Sequence, residues 1–262
     1  VHTRGGHPPF ELTSTEAKRL PPNDYPGYLG PRRAAQELMK AQGRPGRLSE
    51  ADRERLRAMF MASLAGQDEA LGELIRRLSD ANLYKDTLLI VTADVASGRS
   101  SLFVDGLELD EPRLHLPLYV HFPKDRLAGK VVESATEMYD ITRTVTDALQ
   151  LKPPAELRGR NLFQLQAESS EAEPLRFAQL GDRYAARLGD HVLYGKLNQR
   201  PRLCQLSVDP ACAFDRSAEL PLVRETVFRQ TARFVASEQP TTSDPIVMDS
   251  ETAAVLRVWG AY

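Results

Sequence analysis

Cysteine is scarce in this chain of 262 residues, with two in total, and a single Trp stands near its end. No stretch approaches the roughly 18–20 consecutive apolar residues of a membrane-spanning helix, and the opening residues lack the shape of a secretory signal. An excess of one charge is missing too. Lys and Arg number 34 against 36 Asp and Glu, a formal net charge of −2, so the basic footprint of a nucleic-acid binder is absent. Arg44, Arg47, Arg53, Arg55 and Arg57 do cluster, but Glu50, Asp52 and Glu54 interleave with them, which reads as a solvated face. At this length a chain buries about 70–75% of its unfolded surface and holds one large or two unequal domains without a staple.

The two cysteines, Cys204 and Cys212, fit no common zinc spacing, and no His or second Cys pair stands beside them. One reading is a local disulfide, which on the chain-entropy model stabilises by roughly 2–3 kcal/mol. It would place the chain in an oxidising compartment such as a periplasm. The other reading is two buried thiols.

Val1 to Phe10 reads as a strand end and a loop, and residues 11 to 48, rich in Pro, Gly and charge, as a surface excursion with a short helical pattern from Arg32 to Lys40. Ser49 is placed to cap a long helix to about Asn82, whose apolar positions Leu56, Met59, Phe60, Leu64, Leu71, Leu74, Ile75 and Leu78 predict a core-facing stripe. Leu88 to Val91 has no polar residue, which suits a parallel strand covered on both faces, and Asp94 follows at its carboxyl end, where open α/β sheets place ligands. After a polar loop, a strand is expected over His115 to Phe122 and a helix over Glu137 to Leu149, stopped by Pro153-Pro154. Beyond Glu171, short runs separated by Gly181-Asp182, Gly189-Asp190 and Asn198-Gln199-Arg200-Pro201 predict an antiparallel meander, with a covering helix from about Ala218 to Glu238.

The order of these parts resembles the sulfatase family of the alkaline phosphatase superfamily. The residues that carry the resemblance are Asp68, Leu71-Gly72, Leu74, Leu78 and the run Asn82 to Asp94; then Pro117 to Pro123, Tyr139-Asp140-Ile141, Gly159-Arg160-Asn161-Leu162, Leu203 to Pro210 and the tail from Asp249. The resemblance implies a mostly parallel central sheet flanked by helices over residues 1–170, being the C-terminal portion of the α/β domain. A small antiparallel subdomain with a packed helix follows over 171–262. It further implies sulfate-ester hydrolysis with a divalent cation, usually calcium, a sulfated small molecule or glycan as substrate, and an N-terminal portion of the same protein as partner. The expected location is periplasmic or otherwise extracytoplasmic.

The family's site maps only partly onto this chain. His7-Pro8-Pro9-Phe10 matches its H-x-P-[YF] motif, so His7 is the expected catalytic and substrate-binding residue; an imidazole can donate to an anionic oxygen or exchange a proton at a leaving oxygen. The plainer role for His7 is capping of loop backbone. Asp94 matches the family's metal ligand, but Val95 replaces the His or Asn that follows it, and a valine has no lone pair to offer. Between Gly98 and Glu111 the family's Lys is missing, leaving Arg99 as the substrate-binding cation. Neither the Asp-Asp pair nor the C/S-x-P-x-R nucleophile motif occurs; Cys212-Ala213-Phe214-Asp215-Arg216 has Phe in place of Pro and follows the Asp209-Pro210 turn. His2 reads as structural, and His115, His121 and His191 as half-exposed strand residues without visible partners. Two further readings stay open beside a sulfatase: a non-catalytic pseudoenzyme serving binding or assembly, and a phosphoryl or phosphoglycerol transferase on the same fold.

Counting thiols in denaturant with and without reductant decides the cysteine question. A paired Cys204 and Cys212 yield no free thiol before reduction and two afterwards; two free thiols in oxidised material would exclude the disulfide.

Overall fold

A computed structural model describes residue 3 and residues 12–22, 24–30, 48–94, 109, 111–132, 134–154, 157–165, 175–196 and 199–237. The sequence expectations for residues 1–2, 32–40, 95–108 and 249–262 fall outside that set. Helix α1 spans Ser14–Ala17, α2 Glu50–Asp80 and α3 Glu111–Leu114. Helix α4 spans Met138–Ala148 and α5 Pro221–Ser237. The strands are β1 Leu89–Thr92, β2 Leu118–His121, β3 Arg176–Leu180, β4 Arg183–Leu188, β5 His191–Lys196 and β6 Arg202–Gln205.

Helix α2 begins where Ser49 predicts. The Ser49 hydroxyl accepts from the Asp52 amide at 3.2 Å while Asp52 Oδ2 accepts from the Ser49 amide at 2.8 Å, a reciprocal capping box that satisfies donors the helix leaves unpaired. The Tyr25 hydroxyl donates to Asp52 Oδ1, and burial together with that carboxylate pushes the phenol up to about 12. The excursion is thereby tied to the helix start. Leu12, Leu29, Leu48, Leu56, Met59 and Ala62 form one buried cluster there.

The apolar stripe of α2 is core only in its first half. Leu56 and Met59 are fully buried, whereas Leu64 and Leu74 are exposed and Leu71, Ile75 and Leu78 half-buried. The buried apolar residues of the excursion pack on the first half, so periodicity located the stripe and not what covers it.

The described part of the expected central sheet is one antiparallel pair. β1 pairs with β2 antiparallel, Leu89 opposite His121 and Thr92 opposite Leu118, and Leu88 to Val91 are each half-buried. Among the described strands no parallel pair occurs. An apolar run without alternation reports burial on both faces and carries no information on the direction of its neighbour. Leu88, Leu118, Val120, Phe122, Ile141, Leu162 and Leu165 close a second cluster beneath this pair.

Residues 139–141 and 159–162 meet in a clamp around α4. Asp140, 1% exposed, accepts from the Glu137 amide at 2.9 Å and from the Arg160 amide at 2.7 Å. Thr144 donates to Asp140 O and accepts from the Leu162 amide, and Asn161 Nδ2 donates to Asp147 Oδ2 at 3.0 Å. Gly159 sits at φ +110°, and a Cβ there would lie 2.4 Å from Tyr139 O.

The C-terminal sheet has the order β3-β4-β5-β6, all antiparallel, as the turns predict. Tyr184, Ala186, Leu193 and Leu203 share one face and pack on Val227 of α5. Gly195 lies opposite Tyr184, whose ring occupies the space a Cβ would need. Cys204 and Cys212 are disulfide-bonded, their Cα atoms 5.4 Å apart, and both are buried. Three carboxylates hold the loops around this bridge, all below the usual range. At Asp209 the cause is donation by the Phe214 and Ala213 amides. At Asp190 and Asp215 burial pushes upward, but donors from Ser207, and from Ser217 and Leu203, outweigh it.

Gly159→Ala combines a disfavoured backbone region with a collision against main chain, and a loss of about 2 kcal/mol or more in equilibrium denaturation is expected; an unchanged midpoint would show that the 159–162 turn does not depend on glycine. The depressed carboxylates contribute stability above their unfolded value near 4, and that contribution is lost as pH falls through their lower folded values. Tertiary circular dichroism across pH 5 to 2 is therefore expected to report loosening of the 190–217 region, and retention of the full signal at pH 2 would contradict it.

Candidate functional site

Of the residues expected to carry the chemistry, Asp94 falls among the described ones, just past one end of the β1–β2 ladder. Asp94 lies two residues beyond β1 and is exposed. Thr92, the last residue of the strand, donates its hydroxyl to Pro117 O at 2.9 Å, which fastens the approach to β2 beside it. The register ends at Thr92 opposite Leu118, so Asp94 and His115 both lie beyond the ladder at this end. His7 and Arg99 lie outside the described residues, as does Val95, so Asp94 alone of the expected site residues is placed.

A hard divalent cation takes about six to eight oxygens. Asp94 offers one carboxylate, and among the described residues no group of three His, Cys, Asp or Glu side chains stands together. The described residues do not by themselves fit a calcium site, so no step is assigned to a cation here.

Three histidines expected to stand alone have partners. His121 Nδ1 donates to Thr87 O at 2.9 Å, its Nε2 lies 3.1 Å from Asp125 Oδ1, and Tyr84 stacks on its ring at 4.1 Å. This histidine locks the end of the ladder opposite Asp94. His191 adjoins Asp190, whose carboxylate it helps hold low. His115, on the Asp94 side, has Nδ1 3.7 Å from Glu111 Oε1 with its own side chain 78% exposed. The Glu111–His115 spacing of one helical turn was a readable signal. Their third partner, Arg187, was not readable: its Nη1 reaches Glu111 Oε1 at 2.9 Å from 76 positions away.

Cys212 is excluded as a nucleophile by its disulfide, and the adjacent Asp215 accepts from the Leu203 and Ser217 amides at 3.1 and 2.9 Å. The stretch Cys212 to Arg216 is structural.

The comparisons with known proteins agree with this architecture. Solved structures of the sulfatase and alkaline phosphatase-like class share the fold: a phosphonate monoester hydrolase of Silicibacter pomeroyi has a TM-score of 0.64 at 21% identity, covering 78% of this chain and 45% of that one. A protein solved with D-glucosamine-2-N,6-O-disulfate as its substrate gives 0.62 at 17% identity, covering 81% and 47%. The sulfatase family model matches residues 1–151, and the chain belongs to the sulfatase family. Arylsulfatase K of Gallus gallus is 29% identical over 131 residues, 49% of this chain and 24% of that protein, so the chain spans about a quarter of this curated relative.

Proposed function

We propose that this chain carries the C-terminal part of a sulfate-ester hydrolase, acting on a sulfated small molecule or glycan, with its cation site weakened at Val95. Family membership over residues 1–151 is the observation that carries the reading. The position of Asp94 past the carboxyl end of β1 and the His7-Pro8-Pro9-Phe10 motif support it. In this reading His7 exchanges a proton or donates to the leaving oxygen, Arg99 contacts the anion, and Asp94 supplies one oxygen to a divalent cation, calcium by family habit. When bound, the cation would polarise the sulfuryl oxygens.

The nucleophile and the remaining cation ligands lie outside this chain, in an N-terminal portion of the same protein. Support comes from the motif inventory, which lacks both, and from the 24% of arylsulfatase K that the chain spans. In the same reading residues 1–170 belong to the α/β domain and 171–262 form its small subdomain. Leu89 to Val91 of β1, apolar yet only half-buried, support the reading in which β1 belongs to a mostly parallel central sheet. The buried disulfide favours an extracytoplasmic, periplasmic setting.

A second reading has a specific observation behind it. Val95 beside the one expected ligand, and a span from Gly98 to Glu111 with no Lys, favour a pseudoenzyme that binds or assembles.

General acid-base help supplies only about 10²–10⁴-fold without a nucleophile. This chain alone is therefore expected to leave aryl sulfates intact and to bind calcium, magnesium and manganese no better than millimolar in calorimetric titration. A micromolar dissociation constant would refute the reading. In a protein carrying the missing motifs, Val95→His or Val95→Asn should raise cation affinity and turnover together, and no change in either would clear Val95 as the lesion.

A further inference from the structure

Two apolar faces of this chain are left without full cover among the described residues, and they belong to consecutive elements. On α2, Leu64, Leu71, Leu74 and Leu78 recur at steps of seven, three and four positions, which sets them in one stripe along the helix. Leu64 and Leu74 are exposed, Leu71 and Leu78 are half-buried, and none of the four joins a buried cluster. The second face lies on the β1–β2 ladder. Residues directly opposite in an antiparallel pair share a face, so Leu89 and Val91 stand with His121 and Tyr119. Tyr119 is 70% exposed there, whereas the other face, with Leu88, Leu118, Val120 and Phe122, is closed by Ile141, Leu162 and Leu165.

A two-stranded ladder is marginal by itself, and an amphipathic helix draws most of its stability from what covers its apolar side. From Leu64 to Leu78 the helix advances about 21 Å, the length of a strand of about six residues. Only residues 81–88 separate α2 from β1, and within that turn the Leu83 amide donates to Leu78 O at 2.8 Å. A helix returned so directly to a strand packs on the sheet to which the strand belongs, so the two faces describe one sheet continued beyond these two strands. In the solved relatives that share the fold, more than half of the chain lies outside the matched part, which is length enough for that continuation.

We propose that Leu64, Leu71, Leu74 and Leu78 of α2, with the face of the ladder that carries Val91 and Tyr119, form the docking surface for the N-terminal portion of the same protein, whose strands continue this sheet. That occupant rests on the reading in which an N-terminal portion carries the nucleophile, and this surface is where the two portions meet.

Hydroxyl-radical footprinting of this chain and of the full-length protein, which adds the portion upstream of residue 1, reads the surface directly. Leu64, Leu74 and Tyr119 are expected to oxidise readily in this chain and several-fold more slowly in the full-length protein at equal radical dose. Leu74→Glu and Tyr119→Glu should leave the denaturation midpoint of this chain unchanged and lower that of the full-length protein. Equal oxidation of all three residues in the two proteins overturns the proposal without any variant having to fold, as does a midpoint that falls equally in both. In sedimentation this chain is expected to be a monomer; a dimer that Leu74→Glu dissociates would assign the surface to a second copy and overturn the proposal too. A gene that encodes nothing upstream of residue 1 removes the occupant and overturns both readings. A full-length protein that protects these residues yet leaves aryl sulfates intact refutes the hydrolase reading alone and leaves the surface standing.

Discussion

The buried carboxylate of Asp140 is the point from which the middle of this structure is organised. One Oδ caps the start of α4 and the other takes the Arg160 amide, so a single side chain fixes both the helix and the turn that crosses it. Losing it would orphan two backbone donors, each worth about 1–3 kcal/mol when buried without a partner. Gly159 is the companion constraint, because only a residue without Cβ passes this close to Tyr139 O. The clamp then extends outward. The Arg160 guanidinium donates to Ala135 O, and Arg176 of β3 donates to that same carbonyl and to Glu137 Oε2.

Through Arg176 the small sheet is registered on the rest. Arg176 and Arg187 lie directly opposite one another on β3 and β4, an arrangement that is destabilising when like charges face across strands. Each is drawn to its own carboxylate, Arg176 to Glu137 and Arg187 to Glu111, so the repulsion is relieved only while the sheet sits on the segments 111–114 and 135–140. The pair works as a docking code: a sheet displaced from those acids would hold two uncompensated cations side by side. This explains why the face of the sheet turned away from α5 is so rich in arginine, while the face toward α5 carries the aliphatic core.

Much of the fold was legible in the sequence because its signals are local. Ser49 with Asp52 three residues on specifies a capping box, and Gly181-Asp182 and Gly189-Asp190 specify hairpin turns by the conformations they admit. The disulfide was readable as one of two alternatives from the spacing of Cys204 and Cys212. What the sequence left open was long-range. Leu88 to Val91 reports apolar surroundings and says nothing of strand direction, and the stripe on α2 cannot announce which half is covered. Of the candidate site, Asp94 is the expected residue that falls among the described ones; the Glu111–His115 pair could have been flagged by its spacing, but Arg187 enters from a different sheet and no spacing rule connects it.

One histidine, His121, lies on the β1–β2 ladder and another, His115, three residues before β2, and they are held differently. At one end His121 is saturated: both ring nitrogens face oxygen acceptors and Tyr84 covers one face, leaving 15% of the side chain exposed. Such a residue serves the turn it closes. His115, by contrast, has Nδ1 3.7 Å from Glu111 Oε1 and a side chain 78% exposed. An ion pair this open to water is screened and returns little stability, so the two rings differ in how firmly they are held: His121 is fixed by the turn it closes, and His115 is held only by a pair that solvent competes for.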